Sequence, residues 1–341
     1  MNKPVAPIST YDSQKLRILS FALIVMVVFV HSYYIEAEDY AVANAVQNFV
    51  GRGLCMVAVP MFFLFSGYLF FQNIAQPSAI LVKLRKRVRT LVVPYILWNV
   101  VFLLWFVVMA YIPWVSQYVN ADLFHDLLSQ SAVGGFYTMF IKPMGFHLWF
   151  LRDLILFVAL TPVIYYLLRF NSYVLPVVLA LLSTQWYFFV GFACFTTGAS
   201  IALHSSIKAV STRTKPFWWA AMVVYLLYAI FLPYNHLVEA TAIVGMLCGI
   251  VAIWHLYDRL VGPYVTAVPR WVGYTFFIYC VHEPFFNIIK KLGLKLLGVH
   301  EPSLILLYFV NPLIMVAVAI VIAKCIERLT PWLYRLLTGG R

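Results

Sequence analysis

The sequence predicts an all-α polytopic membrane protein, a bundle of about ten transmembrane helices with both termini on the cytoplasmic side. Three observations lead there. Hydrophobic residues make up 64% of the 341 residues and charged residues only 11%, and the mean hydropathy is +0.90. No aqueous fold hides that much apolar surface, so lipid must cover part of it. The apolar residues also run in long unbroken stretches without the alternation of a barrel strand, which leaves helices as the way to satisfy the backbone in hydrocarbon. Finally, the 24 Lys and Arg, against 12 Asp and Glu, concentrate in short loops, the positive-inside pattern of a membrane protein rather than a nucleic-acid footprint.

The first span, 16–35, begins LRILSFALIVMVVFVHSYY and is long enough to cross a bilayer. At a period of 3.6, Arg17 and Ser20 return to the helix face that carries His31. One stripe therefore holds a cation near one interface, a hydroxyl above it, and a titratable imidazole roughly 20 Å further on. Two interfacial anchors would explain the ends separately; the rest of the chain points further. The later spans are 54–72, 91–112, 148–168, 173–184, 186–203, 217–232, 237–257, 272–292 and 304–326. The span 173–184 is short and contains Pro176, which reads as tilted or broken.

The whole chain, 1–341, reads as one membrane domain with no internal repeat. Residues 1–15 form a polar cytoplasmic segment without the cleavage site of a signal peptide, and 327–341 a cytoplasmic tail. The five cysteines lie in or beside apolar segments without CxxC or metal-ligand spacing, so they read as small buried hydrophobes, and no metal site is expected.

Loop charges set the orientation. Lys83, Arg85, Lys86, Arg87 and Arg89 follow the second span, and Lys208, Arg213 and Lys215 follow the sixth. With the tail residues Lys324, Arg328, Arg335 and Arg341 they share a side with Lys3, Lys15 and Arg17. The first opposite loop is acidic, with Glu36, Glu38 and Asp39. Lys290, Lys291 and Lys295 break the rule by falling outside, and an interfacial helix is the expectation for them. The outer loop 113–146, with Asp122, His125 and Asp126, reads either as a surface amphipathic cover for a pocket or as a connector.

Four spans direct polar side chains toward the outer half of this bundle. His31 ends the first, Arg52 precedes the second, His147, Arg152 and Asp153 open the fourth, and His282 with Glu283 lies in the ninth. Ionisable groups at membrane depth are costly and mark functional sites by default. Each has a plainer reading: Arg152 and Asp153 as a structural ion pair, His282-Glu283 before Pro284 as the polar end of a helix. The basic loop is a topological signal first and a phosphate-binding patch second. HExxH, GxSxG and Walker-type signatures are missing from the sequence.

Five stretches in order carry a family resemblance: VVFVHSYY, VPMFFLFSGYLFF, KLRKRVRTLVVPYILWN, HLWFLRDLILF and FFIYCVHEPFF. With them the chain resembles the acyltransferase 3 family of integral membrane acyltransferases along nearly its whole length. The resemblance implies an O-acyltransferase of a bacterial inner membrane. Such a protein moves an acyl group, often acetyl, from cytoplasmic acyl-CoA (acetyl-CoA) to a hydroxyl of a cell-envelope or exported glycan or lipid-linked sugar. It implies no tightly bound cofactor, since acyl-CoA is a co-substrate, and no nucleic-acid partner. It also makes His31 the essential catalytic residue. The family's arginine eleven positions earlier is replaced here by Ser20, with Arg17 one turn further toward the cytoplasm.

The residue chemistry agrees with that reaction. Acyl transfer to an alcohol needs a base near neutral pH, donors for a developing oxyanion, and exclusion of water. His31 is the expected base that activates the acceptor hydroxyl, with His282, Glu283, Arg152 and Asp153 orienting that hydroxyl or stabilising charge. Arg17, Ser20, Arg85, Arg87 and Arg89 are the expected donor-binding residues, and His147, Ser66 and Tyr68 the acceptor-binding ones. A transporter or flippase of a lipid-linked or sugar intermediate is the alternative, which inverted repeats and paired broken helices would favour.

Overall fold

The structure, a computed structural model, describes residues 8–74, 76–112, 137, 141–234 and 241–340. The loop expectations for Asp122, His125 and Asp126 lie outside the described residues. The helices are α1 (Thr10–Val30), α2 (Ala41–Gln47), α3 (Ala58–Phe71), α4 (Ser78–Arg87) and α5 (Val93–Ala110). From residue 149 onward come α6 (Trp149–Ala159), α7 (Thr161–Phe170), α8 (Val174–Leu182), α9 (Phe188–His204) and α10 (Ile207–Thr214). The chain closes with α11 (Trp218–Phe231), α12 (Ala242–Leu260), α13 (Thr275–Leu297), α14 (Glu301–Leu329) and α15 (Pro331–Thr338). No strand occurs among the described residues.

Among the described residues, six helical stretches are long and apolar enough to cross a membrane: Thr10–Val30, Ala41–Phe71, Ser78–Ala110, Ile207–Tyr234, Ala242–Tyr264 and Glu301–Leu329. They make the chain an integral membrane protein of helical class. The other expected crossings are built differently. The span 148–168 breaks at Leu160, where Pro162 in the first turn of α7 removes an amide that would have continued α6. The span 173–184 is a helix of only 9 residues, and 186–203 becomes the 17-residue α9. The span 272–292 starts in a 3₁₀ turn, Arg270–Tyr274, and its helix α13 loses helical geometry at Glu283.

These helices sort into two compact units, each discontinuous in sequence. One comprises 1–81 with 160–320, and the other 82–159 with 321–341.

In the larger unit, α1 is started by Ser9, whose Oγ accepts from the Asp12 amide at 3.0 Å, an ordinary N-cap. Its buried face runs Leu16, Leu19, Leu23, Ile24, Val27 and Val28, a helical stripe that packs on α3 and α13. The helix stops at His31. Its continuation is held by α14, where Ser32 Oγ donates to the Tyr308 carbonyl at 2.9 Å, and by Gln47, which accepts from the Tyr34 amide at 2.8 Å. Residues 34–43 then form a small core of their own, with Tyr34, Ala37 and Ala43 packed on Leu304 and Leu307. Glu301 Oε1 accepts from the first amides of α2, those of Val42 and Ala43, at 2.8 and 3.2 Å. A carboxylate borrowed from α14 thus satisfies a helix start that lacks a cap of its own.

The close crossing of α3 with α9 depends on two glycines. A Cβ on Gly67 would sit 2.0 Å from the Phe195 carbonyl oxygen, and one on Gly198 would sit 2.0 Å from that of Leu64. Backbone meets backbone there, as small residues allow between membrane helices.

In the smaller unit, α15 packs on α5 and Trp98 Nε1 donates to the Leu337 carbonyl at 3.0 Å. Asn99 ties the chain entering α6 to α5, accepting from the Met144 amide at 2.9 Å while donating to the Tyr95 carbonyl at 2.8 Å.

Candidate active site

The candidate site lies in the larger unit at the C-terminal end of α1. His31 is the C-cap of that helix and keeps a backbone in the helical region, at φ −82° and ψ −2°. The break in α13 sits opposite it. Glu283 adopts φ −108° and ψ 140°, extended geometry inside a helix. The local cause is in the sequence, because the residue before a proline is pushed out of the helical region, and Pro284 follows.

At that break three titratable side chains converge. The Glu283 carboxylate lies 3.7 Å from His31 Nδ1, and both side chains are mostly buried, at 17% and 21% exposure. The His282 ring stands edge-on to the His31 ring, with centroids 5.0 Å apart. His282 is fully buried, and its Nδ1 lies 2.8 Å from the Tyr279 carbonyl. A carbonyl only accepts, so Nδ1 carries the proton. The second Glu283 oxygen accepts from Asn287 Nδ2 at 2.9 Å. One helix face, Glu283, Asn287 and Lys290 at spacings of four and seven, thus addresses the end of α1. Lys290 donates to the carbonyls of His31 and Tyr33, at 3.2 and 2.5 Å.

Chemically, the arrangement is an imidazole–carboxylate pair in a poorly hydrated place. A carboxylate facing Nδ1 favours a proton there and leaves the lone pair on Nε2, the form of imidazole that can take a proton from an alcohol. Separations somewhat beyond a hydrogen bond are common for such pairs without substrate. The acyltransferase domain family model matches residues 16–326 and so spans most of α1, both sides of this site, and most of α14. The chain belongs to the acyltransferase 3 family. It is also similar to the succinoglycan biosynthesis protein ExoH of Rhizobium meliloti (strain 1021), at 26% identity over 358 residues, covering 96% of this chain and 92% of that protein. No solved structure matches the chain.

The remaining expected site residues of this membrane acyltransferase fall elsewhere. Arg17 is exposed, and the hydroxyl of Ser20 is spent on the Leu16 carbonyl at 2.7 Å. The buried cation of α1 is instead Lys15, 1% exposed, 2.7 Å from Asp258 Oδ1 and 3.7 Å from the centroid of the Trp254 ring. Tyr11 donates to the same carboxylate oxygen at 2.5 Å. His255 Nδ1 lies 3.7 Å from the other, and its Nε2 is 2.9 Å from Thr214 Oγ1. Nothing local in the sequence marks Lys15 as buried; its partner is 243 residues away.

Ser66 is half-buried and Tyr68 buried, beside Gly67 in the tight crossing of α3 and α9. The Tyr68 hydroxyl meets the Ile207 backbone near Asp12, at the opposite end of α1 from His31. The SGY stretch therefore serves helix packing, not the surroundings of His31.

His147, Arg152 and Asp153 belong to the smaller unit. His147 is buried with its ring edge-on to Phe102, at 5.3 Å between centroids. Arg152 engages Asp153 Oδ1 through Nη2 at 2.7 Å and Nε at 2.8 Å, and its Nη1 donates to the Ile141 carbonyl at 2.8 Å. Of the basic residues of α4 and the turn after it, Arg85 and Arg89 are exposed while Arg87 is half-buried. Asn287 escaped the sequence reading, and Lys290, expected with Lys291 and Lys295 on an interfacial helix, was not read as a site residue. Their signal was there, in the spacing from Glu283 and in a lysine standing where the charge rule expects none.

Proposed function

We propose that the protein transfers an acyl group, acetyl in the simplest case, from cytoplasmic acyl-CoA to a hydroxyl of a cell-envelope or exported glycan, with His31 as general base. The observation that carries this reading is the convergence of His31 with Glu283 and His282 at the end of α1. The glycan acceptor rests on the likeness to a protein of succinoglycan biosynthesis. The acceptor hydroxyl gives its proton to His31 Nε2 as its oxygen attacks the thioester carbonyl. The tetrahedral intermediate then collapses, the carbon–sulfur bond breaks, and the departing CoA thiolate takes the proton back from the imidazolium. Glu283 steadies that imidazolium, and the His282 ring fixes the plane of its neighbour.

The exposed Arg85 and Arg89, with Arg87, are the residues for the donor phosphates on grounds of charge. Arg17 is a further candidate for that role. The bundle is read with ten crossings, both termini cytoplasmic, in a bacterial inner membrane.

The test is thiol release from acetyl-CoA by the purified protein in liposomes, with an extract of cell-envelope glycan as acceptor. Glycan-stimulated release in wild type and none in folded His31→Ala supports the reading. No release and no acetyl-CoA binding from folded wild type overturns it and favours a transporter.

A further inference from the structure

We infer that Lys290 is a positioning residue that sets the direction of the His31 side chain, an inference that rests on His31 being the base. The physical reason starts at the end of α1. The last carbonyls of a helix have no amide partner within it, and at a buried end each needs a donor. Here one ammonium serves the C-cap and the chain just beyond it, donating to the carbonyls of His31 and Tyr33. Those groups lie on the peptide units that follow His31 and Tyr33, so holding both fixes the backbone through Ser32. That backbone sets the Cα–Cβ direction of His31.

The same helix face grips the side chain as well. Glu283 faces the imidazole from two turns earlier on α13, and Asn287, between them, holds the other carboxylate oxygen. The clamp therefore has two points from one helix and its break, a carboxylate facing the ring and an ammonium on the backbone that carries it. Lys290 is in turn confined. It is half-buried, its ammonium lies 5.1 Å from the Tyr34 ring centroid and 5.9 Å from that of Phe286, and Asn311 holds the Tyr34 hydroxyl. A cation over aromatic faces and bonded to two carbonyls has few other places to go. This use explains a lysine on the side of the membrane where loop charge is otherwise acidic. It also separates Lys290 from Lys291 and Lys295, whose side chains are exposed.

The experiment compares Lys290→Met, Lys290→Arg and, as a control on an exposed position, Lys295→Met in the full-length protein. Turnover of acetyl-CoA with the glycan extract is measured together with thermal unfolding in detergent. Lys290→Met is expected to lower kcat roughly 10- to 100-fold while the KM for acetyl-CoA stays within about 2-fold, and Lys290→Arg to recover most of the loss. Lys295→Met matches wild type. A second readout does not depend on turnover. In protein labelled with ¹⁵N-histidine, the imidazole resonance missing from His31→Ala should move in Lys290→Met, return toward wild type in Lys290→Arg, and stay put in Lys295→Met. A His31 resonance and kcat both unmoved in folded Lys290→Met overturn the inference. Loss of activity with full KM inflation, or unfolding that Lys290→Arg does not repair, assigns Lys290 a role in binding or folding instead and also overturns it. An active His31→Ala would overturn the base reading, whereas the resonance shift would still report the clamp.

Discussion

Lys15 and Asp258 form a part-buried clasp, the ammonium 2.7 Å from the carboxylate and capped by the face of Trp254. The clasp joins the start of α1 to the end of α12. Its geometry explains how a cation is tolerated with only 1% of its side chain exposed: it has a counter-ion and an aromatic face, and Tyr11 shares the same carboxylate.

Removing one partner leaves the other charge without compensation. Asp258→Asn is expected to cost about 2–4 kcal/mol, read as a lowered unfolding temperature in detergent. The double variant Lys15→Met with Asp258→Leu should recover part of that loss, because the buried cation is gone while the Tyr11 hydroxyl still loses its acceptor. A single variant as stable as wild type would contradict the clasp.

At the candidate site, His31→Ala should abolish glycan-stimulated thiol release, a loss of roughly 10²- to 10⁴-fold, with the unfolding temperature little changed. His31 caps α1 with its backbone and not its ring, so the helix end survives the truncation.

Glu283→Gln keeps the shape of the side chain and its bond from Asn287 but removes the charge that would steady an imidazolium. A fall in kcat of roughly 10- to 100-fold is expected, with the KM for acetyl-CoA preserved. Asn287→Ala should follow in the same direction with a smaller effect, since it acts only on the second carboxylate oxygen.

Gly67→Leu and Gly198→Leu should each prevent accumulation of folded protein, checked by monodisperse yield in detergent. At both positions a Cβ would overlap a carbonyl oxygen of the facing helix, which a helix axis relieves only by moving away. Ser66→Ala, by contrast, should leave both fold and turnover near wild type, because Ser66 flanks this packing contact and stands away from His31.

Much of the architecture was legible in the chain because hydrocarbon leaves few options. Apolar runs predict helices, and the breaks were written in prolines: Pro162 at the start of α7, Pro284 after Glu283. The number of crossings was less legible. The segments 173–184, 186–203 and 272–292 are as apolar as many spans, yet the structure makes them short or interrupted. Hydropathy counts apolar residues; it does not register where a neighbouring helix permits a backbone to bend.

The candidate site divides in the same way. By itself the sequence determined that this is a helical membrane protein, that His31 ends its first long helix, and that Glu283 precedes a proline and so leaves helical geometry. Only the tertiary structure decided which charges meet. It paired His31 with Glu283, sent Lys15 inward to Asp258 while leaving Arg17 exposed, closed Arg152 onto Asp153 and Ile141, and turned Lys290 back onto the end of α1. Periodicity fixes which residues share a face of one helix, but the partner across the interface is chosen by packing between segments hundreds of positions apart. That information is carried by shape complementarity of whole helices and has no local signature in the chain.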